Sequence, residues 1–205
     1  MASALTAEVP AASPASSMGA IVLARHGEPA LSRKVRLNAQ EYRQFWAKYE
    51  ILGLLPGQSP PKMLLDFVSG CGVLLASTRL RSIESAEKLA GEREFNREPV
   101  LVEAPLPPPN LPSWVKLTPS MWGFIARFWW WFFNHHEGQE TRRQAEGRAD
   151  QAAEMLERLA AEGKDVVVLA HGFFNFMIGR ALRRRGWRLV HSEGWKYWSM
   201  RRFER

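Results

Sequence analysis

The sequence predicts an α/β fold, a three-layer α/β/α sandwich with a mostly parallel central sheet. Largely apolar stretches at 20–24, 72–77 and 165–170 have the length and composition of parallel strands that are buried on both faces. Helical patterns separate these runs, and the order strand, helix, strand is typical of βαβ units. The chain has 205 residues, 46% of them hydrophobic, which suffices for one domain with a sizeable core.

A leader is predicted in front of this domain. Residues 1–18 are rich in Ala, Ser and Pro, and Glu8 is their only charged residue. They lack the basic start and the long apolar run of a secretion signal. We therefore expect a disordered leader over 1–18 and a single folded domain over 19–205.

Two helices are predicted between the first two strands. Four aromatic residues within 42–49 follow the i, i+3, i+4, i+7 spacing of one helix face, and Asn38 precedes them as a candidate N-cap. A second helical pattern, 62–70, ends at Gly70. The strand at 72–77 follows, which completes the first βαβ unit.

A helix and a third strand are predicted next. The stretch 82–90 has helical spacing, with Ser82 as its candidate N-cap, and "PVLVEA" at 99–104 is the third strand candidate. The chain then becomes rich in proline as far as Pro119, which predicts an irregular excursion over the surface.

The most aromatic part of the chain is "SMWGFIARFWWWFFNHH", residues 120–136. It predicts a helix, and a helix that is aromatic on all sides must be covered by other parts of the structure. We interpret residues 105–139 as a helical, aromatic-rich cap inserted into the domain. Its aromatic block is then the core of the cap or a wall of the substrate cleft.

The last part of the chain predicts two more helices and two strands. A helix over 140–161 precedes the strand at 165–170, and a further helix covers 173–186. Residues 196–205 predict a weak strand at the edge of the sheet. No element of this region departs from an α/β pattern.

Charge and cysteine content restrict the function. With 28 Lys and Arg against 21 Asp and Glu, the net charge is +7, which favours a polyanion, an anionic membrane surface or a phosphorylated small molecule as partner. The single cysteine, Cys71, excludes an internal disulfide and a cysteine-based zinc site. No stretch reaches the roughly 20 apolar residues of a membrane span, since Arg127 interrupts the aromatic block. We expect a cytoplasmic protein.

Two of the predicted strands end in a His-Gly pair. Arg25 and His26 follow the first strand, and His171 follows the strand at 165–170. Because ligands bind outside the carboxyl ends of parallel strands, the two histidines are expected to share one cleft. Arg81, just after the second strand, is directed to the same edge. The guanidinium groups of Arg25 and Arg81 match phosphate oxygens in bidentate fashion.

These residue types suit phosphoryl transfer. A neutral imidazole at His26 can attack phosphorus, and surrounding cations can stabilise the equatorial oxygens. The leaving alkoxide needs a proton from a carboxylic acid. Glu103, at the end of the third predicted strand, is the best placed candidate, with Glu140 as the alternative.

Three segments together resemble the histidine phosphatase superfamily, branch 1, which has the phosphoglycerate mutase-like fold. "LARHGE" resembles its RHG signature, and "STRLRSIESAEKLA" is similar to its S-x-x-x-R-[AS]-x-x-[ST]-A element. "VVVLAHGFFNFMI" resembles the segment that carries the second histidine of the family. The three occur in the order of the family, and the resemblance spans about residues 19–205.

The resemblance implies a metal-independent phosphohydrolase of the histidine acid phosphatase type, which needs no cofactor. His26 is then the nucleophile that becomes phosphohistidine, and Arg25, Arg81 and His171 bind the phosphoryl group. Glu103 is the general acid and base. Mutases of the family carry an asparagine a few residues beyond the RHG signature, where this chain has Ser32, which we take as a candidate substrate contact.

Other functions stay open at this point. One is a mutase that returns the phosphoryl group to a substrate, although Ser32 argues against it. Another is a non-catalytic module that binds phosphate or a phosphoprotein. A nucleic-acid binder is the weakest, because the basic stretch 180–188 is typical of a solvated helix end. The cluster at 135–137 lacks the spacing of a metal motif. We expect a phosphorylated small molecule as the partner, with a phosphoprotein as the alternative, and neither nucleic acid nor metal.

Overall fold

The central sheet occupies the middle of the molecule. The computed structural model describes residues 18–205, so the predicted leader up to residue 17 lies outside the described residues. Within the described residues six strands form one sheet: β1 (Ile21–Arg25), β2 (Val73–Ser77), β3 (Asn96–Glu98), β4 (Val166–Ala170), β5 (Arg188–Ser192) and β6 (Met200–Glu204). Across the sheet their order is β3-β2-β4-β1-β6-β5.

The three predicted buried strands lie side by side. Strand β4 pairs in parallel with both β1 and β2, so that Ile21 and Val73 each lie opposite Val166. Strand β3 pairs in parallel with β2, β6 pairs antiparallel with β1, and β5 pairs antiparallel with β6. The prediction of a mostly parallel sheet is confirmed.

Helices cover both faces of the sheet. The described chain contains α1 (Ala39–Ile51), α2 (Lys62–Gly70), α3 (Leu80–Ala90), α4 (Pro119–Phe133), α5 (Arg142–Ala160) and α6 (Gly172–Arg184). Alternate strand residues point to opposite faces. Leu23 and Val168 pack with α5 and α6, whereas Val22 and Val167 pack with α2 and α3. The three-layer α/β/α prediction is confirmed.

Helix α1 packs on α4, and together they form a third apolar cluster beside the sheet. Tyr42 of α1 stacks on Trp122 of α4, with ring centroids 5.7 Å apart. The indole N–H of Trp122 donates to the carbonyl of Leu37. Asn38 caps α1 as predicted, since its side chain accepts from the Glu41 amide at 2.9 Å. These contacts fix the C-terminal end of α1 near the carboxyl edge of the sheet.

Three predicted elements are wrong in detail. The third strand is Asn96–Glu98, and Pro99–Leu101 forms a 3-10 turn, because Pro99 lacks the N–H that a continued ladder needs. Helix α3 starts at Leu80, so Ser82 lies inside its first turn instead of capping it. Strand β6 is not an edge strand, because the unpredicted β5 pairs with its outer side.

The expectation that α4 is covered on all sides is also wrong. Its inner face, with Ala126 and Trp130, is buried in the main core. Within the described part of the chain, Phe124, Phe132 and Phe133 are 71%, 66% and 64% exposed. Neither α4 nor another described helix combines the length and apolarity needed to cross a bilayer. A contiguous exposed aromatic face of this kind indicates a binding surface.

Candidate active site

The carboxyl edge of the sheet brings the two predicted histidines together. His26 follows β1 and His171 follows β4, and the centroids of their imidazole rings lie 5.1 Å apart at an edge-to-face angle. Both side chains are buried. Gly27 is required where the chain leaves β1, because a Cβ there would lie 2.5 Å from the ring of Trp198. The adjacency of β1 and β4 in the sheet produces this pair, as the sequence predicted.

Arg81 lies between the two histidines. Its Nε–H donates to Nε2 of His26 at 3.3 Å, and its Nη2 donates to Nδ1 of His171 at 3.3 Å. The side chain is fully buried, and it comes from the start of α3, directly after β2. The structure therefore places Arg81 where the sequence predicted a phosphate-binding cation.

The C-terminal end of α1 holds Arg81 in place. The Nη1 atom of Arg81 donates to the carbonyl of Tyr49 at 2.9 Å, and Nη2 donates to the Glu50 carboxylate at 2.9 Å. The guanidinium also lies over the Tyr49 ring, 4.6 Å from its centroid. Glu50 further pairs with Arg79 at 2.7 Å. The sequence does not predict the roles of Tyr49 and Glu50, because helical spacing indicates only that these residues lie at the end of α1.

The hydrogen bonds assign a tautomer to each histidine. Nδ1 of His26 lies 2.7 Å from the Gly27 carbonyl, which can only accept, so Nδ1 carries the proton and Nε2 keeps its lone pair. Nδ1 of His171 accepts from Arg81, so its Nε2 carries the proton and donates to Ser77 Oγ at 2.9 Å. One unprotonated nitrogen of each ring therefore faces the Arg81 guanidinium.

Burial and neighbouring cations keep both imidazoles neutral. Burial lowers the pKa of His26 well below its usual value of 6.5, and the positive charges of Arg81 and Arg25 lower it further. The pKa of His171 is also lowered well below 6.5, again by burial first and then by Arg81. At neutral pH, His26 Nε2 is thus an unprotonated nitrogen among fixed positive charges, as a nucleophile toward a phosphate ester requires.

These lowered pKa values predict acid sensitivity. The unfolded chain protonates both histidines near pH 6.5 and the folded chain does not, so stability is lost as the pH falls from 6.5 toward the lower folded values. Each histidine contributes a slope of up to about 1.4 kcal/mol per pH unit in that window. Urea unfolding between pH 7 and pH 5 in phosphate-free buffer measures this loss of stability. His171→Asn should lose less stability over this range than the unsubstituted protein, and equal losses in the two proteins would contradict this account.

Glu103 lines the same cavity as the two histidines. It lies in the loop after the 3-10 turn, and its carboxylate accepts from the Phe174 amide in the first turn of α6 at 2.9 Å. Burial raises the pKa of Glu103, and the Arg127 charge opposes this rise. A carboxyl group with a raised pKa holds its proton closer to neutral pH, which suits a general acid.

Glu140 occupies a different environment. Its carboxylate forms two hydrogen bonds with Arg148, at 2.8 and 2.7 Å. It lines an adjoining cavity of about 400 Å³ and is not among the residues that line the histidine cavity. The geometry therefore favours Glu103 over Glu140 as the proton donor.

Arg25 completes the cationic end of the cavity. Its guanidinium lies 4.2 Å from the centroid of the Tyr197 ring, and Nη1 donates to the Trp195 carbonyl. Its Nε is buried and has no hydrogen-bond partner within the described residues. That N–H is a donor available to an anion.

The cavity departs from the sequence prediction at Ser32. This side chain is exposed, accepts from the Lys34 amide, and is not among the lining residues. Arg33 lines the cavity instead, and its Nη1 donates to the Tyr197 hydroxyl at 3.1 Å. Arg127 of α4 is a further lining cation that sequence analysis did not single out. A loop without a repeating pattern gives no sequence signal for which of two adjacent side chains points inward.

In residues 18–205, no group of three or more His, Cys, Asp or Glu side chains is arranged to hold a metal ion. Glu137, from the histidine-rich cluster after α4, pairs with Arg43 at 2.5 Å. The buried Cys71 thiol contacts Arg93, and burial raises its pKa. Neither group lies among the residues that line the histidine cavity.

Comparison with known proteins identifies a family. Residues 62–204 match the family model described as the histidine phosphatase superfamily (branch 1). The matched range contains Arg81, Glu103 and His171, whereas Arg25 and His26 precede it. Among curated proteins, no sequence matches significantly.

Solved structures share the fold. Phosphoglycerate mutase from Bacillus anthracis is 14% identical, with 83% of this chain and 82% of that chain covered and a TM-score of 0.54. Phosphoserine phosphatase from Entamoeba histolytica, solved in complex with 3-phosphoglyceric acid, is 17% identical. The match covers 82% of this chain and 81% of that chain, with a TM-score of 0.51. The fold is thus phosphoglycerate mutase-like.

Proposed function

This chain belongs to the histidine phosphatase superfamily, branch 1, and on that premise we propose that it hydrolyses phosphate monoesters through a covalent phosphohistidine at His26. The observation that carries the proposal is the convergence of two unprotonated imidazole nitrogens on Arg81, 3.3 Å from each. Arg25 and Glu103 line the same cavity. The proposed nucleophile, cations and acid thus line one cavity.

The first step forms the phosphoenzyme. The lone pair on His26 Nε2 attacks phosphorus, a nitrogen–phosphorus bond forms, and the bond from phosphorus to the alcohol oxygen breaks. Arg81 and Arg25 stabilise the equatorial oxygens, and His171, whose N–H donates to Ser77, positions Arg81 through its Nδ1. The His26 Nδ1 proton stays on its bond to the Gly27 carbonyl, which fixes the ring orientation. The leaving alkoxide takes the proton of Glu103.

The second step releases inorganic phosphate. The Glu103 carboxylate accepts a proton from a water molecule, and the water oxygen attacks phosphorus. The nitrogen–phosphorus bond breaks and returns its electron pair to Nε2. The carboxyl group is protonated again, and the site is ready for the next ester. No residue changes its net protonation over the cycle.

The basic test is hydrolysis of 4-nitrophenyl phosphate by the purified protein in excess EDTA, with inorganic phosphate measured as product. Turnover that persists with the chelator supports the metal-independent phosphohydrolase. Absence of inorganic phosphate from every phosphate monoester tested would overturn the proposal. Transfer of the phosphoryl group to a second organic acceptor, without release of phosphate, would favour a mutase instead.

The proposed role of Glu103 predicts a dependence on the leaving group. In Glu103→Gln, kcat/KM for an alkyl phosphate should fall by about 100- to 10,000-fold, since an alkoxide needs a proton to leave. For 4-nitrophenyl phosphate the fall should be far smaller, because 4-nitrophenolate leaves without one. The value of kcat/KM reports phosphoenzyme formation and does not depend on the later attack by water. Glu140→Gln is the matched control, and equal losses on both esters in Glu103→Gln would contradict the assignment.

A further inference from the structure

We infer that the substrate of this site is a phosphomonoester of a large apolar alcohol, whose hydrocarbon part lies on an aromatic wall supplied by α4 and α6. The inference rests on the function proposed for the same cavity and names its substrate class. The phosphoryl end is fixed by His26, Arg81 and His171 at the bottom of the cleft. What remains of the cavity determines which alcohol the ester carries.

The cavity is much larger than a phosphoryl group requires. Its volume is about 730 Å³, which falls within the range of about 300–1,000 Å³ typical of pockets for drug-sized ligands. The phosphate-binding residues occupy only its inner end. The alcohol part of the ester therefore has room for a bulky group.

Aromatic side chains make up most of the remaining wall. Phe124, Phe128, Trp131 and Phe132 line it at i, i+4, i+7, i+8 spacing on one face of α4. The others come from α6 and the β5–β6 loop. We call the following seven residues the aromatic wall: Phe124, Phe128, Trp131, Phe132, Phe173, Phe176 and Trp195.

The aromatic wall is continuous from the phosphate end to the cavity mouth. Phe173 directly follows the start of α6 beside His171, and its ring centroid lies 6.1 Å from that of Trp131 and 6.2 Å from that of Phe176. Phe176 in turn lies 5.6 Å from Trp195, which is 51% exposed at the outside. A hydrocarbon chain or ring that starts at the phosphate can follow this path outward.

Two of the cations that line the cavity lie over aromatic rings. Arg180 lies over the Trp131 ring, 5.2 Å from its centroid, and Arg127 lies 5.4 Å from the centroid of Phe173. Arg127 also donates to the Gly123 carbonyl at 2.7 Å. Both guanidinium groups therefore make cation–π contacts with rings of the aromatic wall.

The seven residues of the aromatic wall carry only two polar side-chain groups, the indole N–H groups of Trp131 and Trp195. Among the described lining residues there is no Asn, Gln, Thr, Asp or Lys, and Ser120 is the only aliphatic hydroxyl. Sugars, glycerate and amino acids depend on several placed hydrogen-bonding groups in their sites. Stacked rings instead gain free energy by removal of their apolar surface from water, which an apolar alcohol provides.

A series of monomeric alkyl phosphates, from ethyl to octyl, tests the inference, with phosphoserine and 3-phosphoglycerate as small polar esters. Each added methylene should raise kcat/KM by about two- to fourfold until the cavity is filled, as expected for burial of apolar area. Phosphoserine and 3-phosphoglycerate should be the poorest esters. Equal kcat/KM for ethyl and octyl phosphate, or preference for the polar esters, would overturn the inference.

A matched pair of variants separates the aromatic wall from exposed apolar surface in general. Phe132 and Phe133 are adjacent on α4 and equally exposed, yet only Phe132 lines the cavity. In Phe124→Gln with Phe132→Gln, the octyl to ethyl ratio of kcat/KM should fall at least fivefold, or about 1 kcal/mol of differential binding. In the control, Met121→Gln with Phe133→Gln, the ratio should stay unchanged. An unchanged ratio in the first variant, or an equal fall in both, would overturn the inference.

Failure of the inference and failure of the proposed function give different results. Hydrolysis of all esters without dependence on chain length leaves the phosphohydrolase in place and removes the apolar substrate class. If no ester is hydrolysed, the binding of alkylphosphonates is measured by tryptophan fluorescence. Binding that tightens with chain length, but does not do so in Phe124→Gln with Phe132→Gln, then supports the apolar site without the catalytic function. Binding that is independent of chain length overturns the apolar site.

Discussion

His26→Ala is expected to lower kcat/KM for every phosphate monoester by about a thousandfold or more, as for other enzymes that lose a covalent nucleophile. The alanine removes Nε2, the unprotonated nitrogen that faces Arg81 at 3.3 Å. Water at that position would lack the fixed orientation that the imidazole keeps through its bond to Gly27, and water is a weaker nucleophile than an imidazole nitrogen. Steady-state hydrolysis of 4-nitrophenyl phosphate measures the loss.

The control is a histidine outside the cavity. His191 on β5 is partly exposed and contacts Glu193, so His191→Ala should keep normal turnover. Circular dichroism and thermal unfolding check that His26→Ala is folded. Full activity in a folded His26→Ala protein would exclude this residue as the nucleophile.

Arg81→Lys should lower kcat/KM by about a hundred- to a thousandfold while the net charge stays the same. One ammonium group cannot contact His26, His171, Glu50 and the Tyr49 carbonyl together, as the guanidinium does. The planar fork that matches phosphate oxygens is lost with it. Inhibition by vanadate or inorganic phosphate should weaken in parallel, because the same donors hold the anion.

Arg79→Gln is the matched control for Arg81→Lys. Arg79 also pairs with Glu50, but its side chain is 38% exposed and it makes no hydrogen bond to either histidine among the described contacts. In Arg79→Gln, kcat/KM should fall less than tenfold, since exposed ion pairs contribute little to stability. Similar losses in Arg79→Gln and Arg81→Lys would indicate a general charge effect and contradict the bridging role of Arg81.

The core of the site could be predicted from the sequence because it depends on strand order. Continuous apolar runs identify β1, β2 and β4, and the residue after each run must lie at the carboxyl edge of the sheet. This places Arg25, His26 and His171 correctly, with Arg81 at the second position of α3. Glu103 also lies in the cavity, although the predicted strand at 99–104 is a 3-10 turn and a loop.

The parts that sequence analysis missed depend on contacts between distant residues. Glu50 meets Arg81 only because α1 packs on α4, through the Tyr42 and Trp122 rings. The sequence left open, for a related reason, whether the aromatic block of α4 forms a core or a wall of the cleft. Hydrophobicity indicates that a side chain avoids water, but it does not distinguish a core contact such as Trp130 from a ligand-facing wall residue such as Phe132.

The central claim is the covalent intermediate on His26, and its capture is the most direct test. The protein is mixed with a substrate labelled in the phosphoryl group, quenched in alkali, which preserves the nitrogen–phosphorus bond, and digested with trypsin. Cleavage after Arg25 and Arg33 separates His26 from His171, which lies on the peptide 165–180. We expect the label on the His26 peptide, and none in His26→Ala. Turnover without a labelled peptide, or label on the His171 peptide, would contradict this account.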